Sequence, residues 1–431
     1  MPPRSRDSCG AFVGSLLIRT RTECEVLDHA DPLAFARKRF HLPQGVIYLD
    51  GNSLGALPVA TATRLQDALR REWGVGLIRS WNDADWVTLP KRIGSTIASM
   101  LGAQTNEIIA ADSTSVNIFK LLAGALSLAS QHGKTRNVIL SERDNFPTDL
   151  YISQGFNAVL GNAYELRLVD GNIEKAFDDQ VAVALITQVN YRTGRMHDMA
   201  RLNARARAAG TRIVWDLSHS AGAVPVELNK SGAELAVGCG YKYLNGGPGG
   251  PAYLYVASAL QAGFPTPLSG WFGHAAPFDF KPDYSPALGI ERFQCGTPSV
   301  LAMLALDCGL ATFADVSMRD LRNKSLALSD LFWHLMDKHC GELGFSCVSP
   351  RDHAIRGSQL SFAHEHACSI MQALIDRGVI GDFRQPNLLR FGFTPLYLRY
   401  TDVWDAVQVL REVMQGGAWQ AARFQQRKQV T

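Results

Sequence analysis

The segment VAVALIT, residues 181–187, consists of six apolar residues and a threonine. A strand that is apolar on both faces is typical of a parallel sheet covered by helices on both sides. Similar β-rich runs occur between residues 100 and 260: EIIAA (107–111), RNVIL (136–140), YELRLV (164–169), TRIVWD (211–216) and AYLYV (252–256). Helical stretches at 117–129 and 199–210 alternate with them, which predicts a doubly wound α/β sheet.

The order of predicted helices and strands changes after about residue 300. Two helical segments, 300–315 and 323–339, precede two short strand-like runs, SQLSFA (358–363) and LLRFGF (388–393), with a further helix at 366–378 between them. This pattern predicts a smaller α+β domain. We therefore divide the chain into an N-terminal arm (1–40), a large domain (41–305) and a small C-terminal α+β domain (306–431).

Composition argues against several classes of protein. Lys and Arg number 43 and Asp and Glu number 40, a net charge of +3, which gives no electrostatic case for nucleic acid or an anionic membrane. No apolar run reaches the length of a membrane span. The eight cysteines are scattered without a CxxC pair, as expected of reduced thiols in a cytoplasmic protein. HEH at 364–366 has nothing nearby to complete a metal site, so we expect no metal.

Polar residues follow two of the predicted strands. Ser113, Thr114 and Ser115 come after the first strand and ahead of a helix, where hydroxyl and N–H groups either cradle a phosphate or cap the helix. Asp216 ends the TRIVWD strand, and His219 follows it. A carboxylate there needs a cation or hydrogen-bond donors, so Asp216 either meets a ligand or holds the next loop.

The glycine-rich segment GCGYKYLNGGPGG, residues 238–250, places Lys242 between Tyr241 and Tyr243. A lysine kept out of water serves as a nucleophilic amine, although one on a loop can also extend to solvent. A phosphate cradle, an aspartate at a strand end and such a lysine together suit pyridoxal 5'-phosphate, whose ring nitrogen the aspartate would keep protonated. Phe146 in NFPT (145–148) could stack on its ring.

A wider set of motifs resembles the kynureninases. The matching segments span roughly residues 45 to 400 and include YLDGNSLGALP, SWNDADW, DSTSVNIFK, NFPTDLY, VWDLSHSAGAVP, GCGYKYLNGGPGG, LSGWFGHA and QCGTPSV. The resemblance implies the aspartate-aminotransferase-like fold in its class V branch, with a mostly parallel seven-stranded sheet in the large domain. It also implies a homodimer with active sites at the subunit interface.

The resemblance assigns roles to individual residues. Lys242 would carry the cofactor through a Schiff base, Asp216 would pair with the ring nitrogen, and Tyr241 would bind phosphate and relay protons. The implied cofactor-binding residues are Thr114, Ser115, Phe146, Pro147, Thr148, Asp149, Thr187, Asp216, His219, Tyr241, Lys242, Trp271 and Thr297, with Trp271 and Thr297 assigned to the neighbouring subunit. The implied substrate-binding residues are Arg390, which would pair with the α-carboxylate, together with Asn52, Ser53 and Trp81 near the aryl ring.

The activity that the resemblance implies is hydrolysis of L-kynurenine to anthranilate and L-alanine in tryptophan catabolism. The 3-hydroxy substrate is a second possibility, and NAD biosynthesis is another pathway that such an activity serves. A rival prediction from the same branch is a cysteine desulfurase or selenocysteine lyase, in which Cys340, Cys347 or Cys368 would act as nucleophile. A second rival is a non-catalytic regulator that keeps the fold.

Overall fold

The computed structural model describes residues 20–130 and 136–426. Its strands are β1 (Phe40–His41), β2 (Ile47–Tyr48), β3 (Leu57–Pro58), β4 (Ile108–Ala110), β5 (Val138–Glu142), β6 (Glu165–Val169), β7 (Val181–Thr187), β8 (Arg212–Asp216), β9 (Leu235–Cys239), β10 (Ala252–Val256), β11 (Ser346–Cys347), β12 (Gln359–Ala363), β13 (Val379–Ile380), β14 (Asp382–Arg384) and β15 (Leu388–Gly392). Its α-helices are α1 (Arg21–Ala30), α2 (Val59–Asp67), α3 (Ser80–Asp83), α4 (Leu89–Met100), α5 (Thr114–Ser130), α6 (Pro147–Val159), α7 (Met199–Ala208), α8 (Leu228–Ser231), α9 (Ser258–Gln261), α10 (Val300–Ala311), α11 (Met318–Cys340), α12 (Ala367–Asp376) and α13 (Tyr400–Gln415).

A seven-stranded sheet forms the centre of the molecule, in the order β4-β10-β9-β8-β7-β5-β6. The strands from β9 to β6 run parallel, and β10 pairs antiparallel with both β9 and β4. The predicted α/β fold with a mostly parallel seven-stranded sheet is confirmed. All six strands predicted individually are present, and the seventh, β9, was not recognised in the sequence.

Both faces of this sheet are buried, as the sequence of β7 predicts. The side chains of Ala184 and Ile186 join one hydrophobic cluster, which also contains residues of α4 and α7. Those of Val183 and Leu185 join the second cluster, in which α5 packs against the opposite face. Because helices cover both faces, the polar ends of the strands are the places where the sheet can offer functional groups.

The C-terminal part contains a second sheet, with the order β11-β12-β15-β14 and antiparallel pairing throughout. The long helix α11 packs on it: the rings of Phe332 and Phe391 lie 4.8 Å apart. Helix α13 packs in turn against α11. This arrangement places β12 and β15 next to the carboxyl edge of the large sheet, where their side chains contact the loop at residues 189–195.

The N-terminal segment packs against the C-terminal part. Helix α1 lies on α13, and β2 pairs in parallel with β13. Lys324 Nζ of α11 lies 2.6 Å from Asp31 Oδ2, and both side chains are buried. Residues 1–19 of the predicted arm lie outside the described residues. The predicted boundary at residues 305/306 falls inside α10, and the three-part division of the chain stays a prediction.

None of the helices in the described ranges combines the length and the apolar composition that a membrane span requires.

Candidate active site

Two polar residues lie side by side at the carboxyl edge of the large sheet. Parallel pairing of β7 with β8 puts Thr187 opposite Asp216, the last residue of its strand. Lys242 follows the next strand, β9, after a short loop. All three side chains line one cavity, together with Phe146, Asp149 and His219. The structure therefore brings together, within one pocket, residues that are 96 positions apart in the sequence.

Lys242 is nearly enclosed by this pocket. The residue is 8% exposed, and its Nζ lies 3.0 Å from Nε2 of His219. Nζ is also 5.6 Å from the centre of the Phe146 ring and 5.9 Å from that of Tyr241. The aromatic rings and the imidazole keep the amine away from bulk water, as the flanking tyrosines led us to expect.

The loop that carries Lys242 needs its glycines for close packing. A Cβ on Gly240 would lie 2.4 Å from the carbonyl oxygen of Pro251, closer than real side chains come.

The two flanking tyrosines have different surroundings: Tyr243 is buried and donates to the carbonyl of Ser358 at 3.1 Å, whereas Tyr241 lines the cavity. Only Tyr241 is thus free to contact a ligand.

A pair of buried carboxylates forms the floor of the pocket. Asp216 Oδ1 accepts hydrogen bonds from the backbone N–H and the hydroxyl of Ser218, at 2.8 and 2.6 Å. Asp149 is 1% exposed, its Oδ2 lies 3.3 Å from the Thr187 hydroxyl, and its Oδ1 has no hydrogen-bond partner. Burial raises the pKa of both carboxyls, and the charge of Asp216 raises that of Asp149 further. Such a pair fits the protonated ring nitrogen of the expected cofactor, which would supply the missing donor and positive charge.

The opposite end of the pocket contains the first turn of α5. Asp112 precedes it with a φ of +48°, a left-handed conformation that turns the chain sharply out of β4. Ser113 Oγ caps the helix by accepting a first-turn N–H at 3.3 Å. Ser113, Thr114 and Ser115 all line the pocket of Lys242. The hydroxyl of Ser113 thus caps the helix, and anion binding by Thr114 and Ser115 stays a prediction.

Tyr241 extends this end of the pocket into an adjoining cavity, which Thr114, Thr297 and Gly250 also line. Burial raises the pKa of Tyr241 above its ordinary value. Its phenol therefore keeps its proton at neutral pH and can donate a hydrogen bond to an anion.

The NFPT segment forms the start of α6. Pro147 is the first helical residue, a position where its missing N–H costs nothing. Phe146 precedes it, and its ring packs edge-on against Tyr191 at 5.1 Å. Thr148 and Asp149 then face the pocket from the first turn, beside Phe146. Of the residues predicted from this segment, Pro147 alone is absent from the pocket lining.

Arg390 belongs to a charged cluster beside this pocket. It is 1% exposed; Nε donates to Asp382 Oδ1 at 2.8 Å, Nη2 to Ser53 Oγ at 2.8 Å, and Nη1 to the carbonyl of Tyr191 at 2.6 Å. Arg384 Nη2 donates to the same carboxylate, at Oδ2, at 2.6 Å. Two guanidinium groups share the charge of Asp382, which leaves a positive charge for a substrate carboxylate.

Asp50 adds a titratable group to this cluster. Its Oδ1 is buried without a partner. Burial and the charge of Asp382 raise the pKa of Asp50 to about 8. The carboxyl is therefore neutral at neutral pH and does not cancel the positive charge of Arg390 and Arg384.

The remaining predicted residues lie in other surroundings. Asn52 is fully buried against Gly392, and neither of its amide atoms has a hydrogen-bond partner. Trp81 packs against Trp86 and Phe272, at 5.7 and 5.8 Å between ring centres. Trp271 packs on the same Phe272 and is 40% exposed. Neither tryptophan lines the pocket of Lys242 within its own chain.

Several residues of the site were not predicted from the sequence. Ser218 holds Asp216, and Asn145 Oδ1 accepts a hydrogen bond from Thr187. Gln359, 140 positions away in sequence, contacts His219 at 3.1 Å. Asn145 belongs to the NFPT segment and Ser218 to VWDLSHSAGAVP, so the sequence contains a local signal for both. Gln359 has no local signal, since only the packing of β12 against the large sheet brings it to the site.

Comparisons with known proteins identify relatives over nearly the whole chain. A kynureninase from Burkholderia mallei (strain SAVP1) is 54% identical over 416 residues, covering 96% of this chain and 100% of that protein. A kynureninase from Pseudomonas fluorescens is 50% identical over 414 residues, with the same coverage of both chains. A family model described as the kynureninase C-terminal domain matches residues 321–410.

Solved structures share the fold at lower identity. The apo structure of a cysteine desulfurase from Thermococcus onnurineus NA1 has a TM-score of 0.75 and 21% identity, covering 89% of this chain and 98% of that chain. A C-DES K223A mutant with glycine covalently linked to its PLP cofactor also has a TM-score of 0.75, at 15% identity, covering 87% of this chain and 98% of that chain. These likenesses concern the fold alone. On the strength of its full-length relatives, the chain belongs to the kynureninase family.

Proposed function

We propose that this chain hydrolyses L-kynurenine to anthranilate and L-alanine with pyridoxal 5'-phosphate bound in the pocket of Lys242. Full-length identity to kynureninases supports the reaction. The single structural observation that carries the proposal is the convergence of a shielded Lys242, a buried acidic pair and a helix N-terminus on one pocket. Tryptophan catabolism is the pathway that this activity fits, and 3-hydroxykynurenine is a second candidate substrate.

The residues of the pocket suit the parts of this cofactor. Thr114, Ser115 and the protonated phenol of Tyr241 would hold its phosphate, Phe146 would stack on its ring, and Asp216 would pair with its ring nitrogen. Lys242 would hold it covalently. When bound, the cofactor supplies an electron sink that stabilises negative charge at the substrate Cα.

The chain's own groups can bind the substrate and move its protons. Arg390 binds the α-carboxylate, with Asp382 and Tyr191 fixing the plane of its guanidinium. Lys242 Nζ accepts the Cα proton, and His219 Nε2, 3.0 Å away, holds the amine in place. A water molecule adds its hydroxyl to the carbonyl carbon beside the aryl ring. The remaining proton of the water passes to the former carbonyl oxygen. The bond between that carbon and Cβ then breaks, the carbon leaves as the carboxyl group of anthranilate, and Cβ takes up a proton for which Tyr241 is the candidate donor. The carboxyl group gives up its proton, which restores the phenol, and Lys242 returns its proton to Cα to complete L-alanine.

The desulfurase alternative is not supported by the cysteines on which it depends. None of Cys340, Cys347 and Cys368 lines the pocket of Lys242. Burial raises the pKa of Cys340 and of Cys347 to about 11, so these thiols are poor nucleophiles at neutral pH. The regulator alternative is disfavoured because the pocket retains Lys242 and Asp216, and Arg390 lies beside it.

The cysteines also support a cytoplasmic location. Each cysteine in the described ranges is a free thiol, as in proteins kept under reducing conditions. Export of the folded chain with oxidised thiols would contradict this location.

A homodimer is the assembly that best accounts for two exposed apolar surfaces. One consists of Trp73, Val75, Leu77 and Ile78, and the other of Trp271, Phe278, Phe280 and Leu288; each of these side chains is at least 40% exposed. Groups of exposed apolar side chains are typical of a subunit interface. In such a dimer Trp271 would complete the pocket of the neighbouring chain. Thr297, for which the resemblance implies the same role, also lines the cavity that adjoins the pocket of its own chain.

Activity assays test the proposed reaction. With the cofactor and L-kynurenine, the purified protein should release fluorescent anthranilate, and it should release no sulfide from cysteine. Asp216→Asn should lower kcat by about a hundredfold or more, because a neutral amide no longer holds the ring nitrogen charged. Asp170→Asn, at an exposed surface position, serves as the control and should keep full activity. Wild-type kcat in Asp216→Asn would contradict the assigned role.

The pH dependence of substrate binding tests the carboxylate site. Asp50 is neutral below about pH 8 and negative above it. Its ionisation cancels part of the positive charge around Arg390, so the wild-type KM should rise severalfold as the pH passes from about 7 to about 9. Asp50→Asn stays neutral, and its KM should change less over the same interval. Parallel KM profiles for the two proteins would rule out this role for Asp50.

The same carboxyl makes a second prediction, about stability. An aspartate ionises at about pH 4 in the unfolded chain, so between about 4 and 8 the folded state binds the extra proton. Stability that depends on this proton falls as pH rises through that window. Between about pH 5 and about pH 8, the free energy of unfolding measured with urea should fall less for Asp50→Asn than for the wild type.

Sedimentation equilibrium tests the dimer. The wild type should sediment with the mass of two chains, and Leu288→Asp, which places a charge at a position 90% exposed in the single chain, should sediment as one. Val159→Asp, at an exposed apolar position outside both surfaces, is the matched control and should stay dimeric. A monomeric wild type at micromolar concentration would refute the assembly.

A further inference from the structure

Gln359 reaches from the small C-terminal sheet into the active site. It is the first residue of β12 and is 1% exposed. Its Nε2 donates to the carbonyl oxygens of Asn190 and Tyr191, at 3.3 and 2.8 Å. Its Oε1 lies 3.1 Å from Nδ1 of His219. The side chain thus touches the imidazole that contacts Lys242, although it lies outside the set of residues assigned from the sequence.

The contacts determine which way the amide of Gln359 points. Both backbone carbonyls accept hydrogen bonds and cannot donate them, so they require the NH₂ group. The amide oxygen therefore faces His219, where it needs a donor. The ring must supply that donor from Nδ1, because this is the nitrogen within reach.

His219 itself carries only one ring proton. Burial lowers the pKa of His219 well below its ordinary value, and the positive charges of Lys242, Arg390 and Arg384 lower it further. These three cations come from three different segments, and no carboxylate is among the charges that dominate at the ring. A neutral imidazole with its proton on Nδ1 presents a lone pair on Nε2, towards Lys242 Nζ at 3.0 Å.

We propose that Gln359 is a positioning residue that fixes His219 as the Nδ1–H tautomer, so that Nε2 remains a hydrogen-bond acceptor for Lys242. In the opposite tautomer an N–H of the ring would face the lysine, and the amide oxygen of Gln359 would lose its donor. With a protonated Lys242 amine, two hydrogen bonds would then be lost at once in a nearly enclosed site.

The same contacts join the substrate carboxylate site to the lysine. The carbonyl of Tyr191 accepts from Arg390 at 2.6 Å and from Gln359 at 2.8 Å. A hydrogen-bonded path therefore runs from Arg390 through Tyr191, Gln359 and His219 to Lys242. The importance of this path for turnover rests on the proposed function of Lys242. The tautomer of His219 does not depend on that function.

Nitrogen NMR tests the tautomer directly. In holoenzyme labelled with ¹⁵N-histidine, the ring signals that disappear in His219→Asn belong to His219. In the wild type they should show a protonated Nδ1 and an unprotonated Nε2 at neutral pH. In Gln359→Met, which keeps the volume but removes the acceptor, the Nδ1–H signature should weaken or disappear. A wild-type ring protonated on Nε2, or an unchanged signature in Gln359→Met, would overturn the proposal.

Gln261→Met is the matched control. Gln261 is also buried, and its Nε2 also donates to two backbone carbonyls, those of Asn106 and Val256, at 2.9 Å each, outside the active site. Both variants should lose similar stability. The fall in Tm of each variant relative to the wild type measures this loss. Only Gln359→Met should change the His219 signals and lower kcat, by about fivefold to tenfold, with KM close to wild type. Equal kcat in the two variants would contradict the positioning role.

These outcomes separate the inference from the proposed function. If the wild type releases no anthranilate, the proposed reaction fails while the NMR result still decides the tautomer. If anthranilate is released and the tautomer is the opposite one, the reaction stands and the role of Gln359 fails.

Discussion

The buried acidic pair at the floor of the pocket is the constraint on which the site depends. Asp216 and Asp149 are both nearly inaccessible to water, and one oxygen of Asp149 has no partner. Burying two carboxylates side by side is unfavourable unless a positive group meets them. The sheet fixes this arrangement because Asp216 ends β8, where no further strand residue shields it. In the proposed function, a cationic ring nitrogen, together with Lys242 nearby, would provide the charge that the fold leaves unmatched.

The two halves of the molecule meet at the loop of residues 189–195. Its carbonyl groups accept from Arg390, Gln359 and Ser361, all on the small sheet. These contacts place the guanidinium of Arg390 at a fixed position relative to Lys242. The distance between the carboxylate site and the amine is therefore set by packing between the sheets. A substrate held at both points can react only in the orientation that this packing allows.

Sequence patterns predicted those parts of the structure that depend on local chemistry. The runs with apolar residues on both faces became strands, since burial on both sides leaves a strong signal. Asp216 lies at the end of its strand, in the pocket that Lys242 of the glycine-rich loop also lines. Strand β9, LAVGC, was missed because it includes small residues and runs directly into the glycine loop. Ser53, expected near an aryl ring, forms hydrogen bonds with Arg390 and Asp382 that the sequence does not reveal. Such long-range partners, like Gln359, depend on packing between distant segments and leave no periodic trace.

The central claim is that Lys242 is the residue that holds the cofactor. Reduction of the pyridoxal-phosphate-loaded protein with borohydride, followed by peptide mapping, tests it most directly, because reduction makes the bond to the lysine permanent. The account predicts a single modified peptide, with the mass of the reduced cofactor on Lys242, and no such peptide in Lys242→Ala. A cofactor found on another lysine, or visible absorbance of the cofactor retained with Lys242 unmodified, would contradict it.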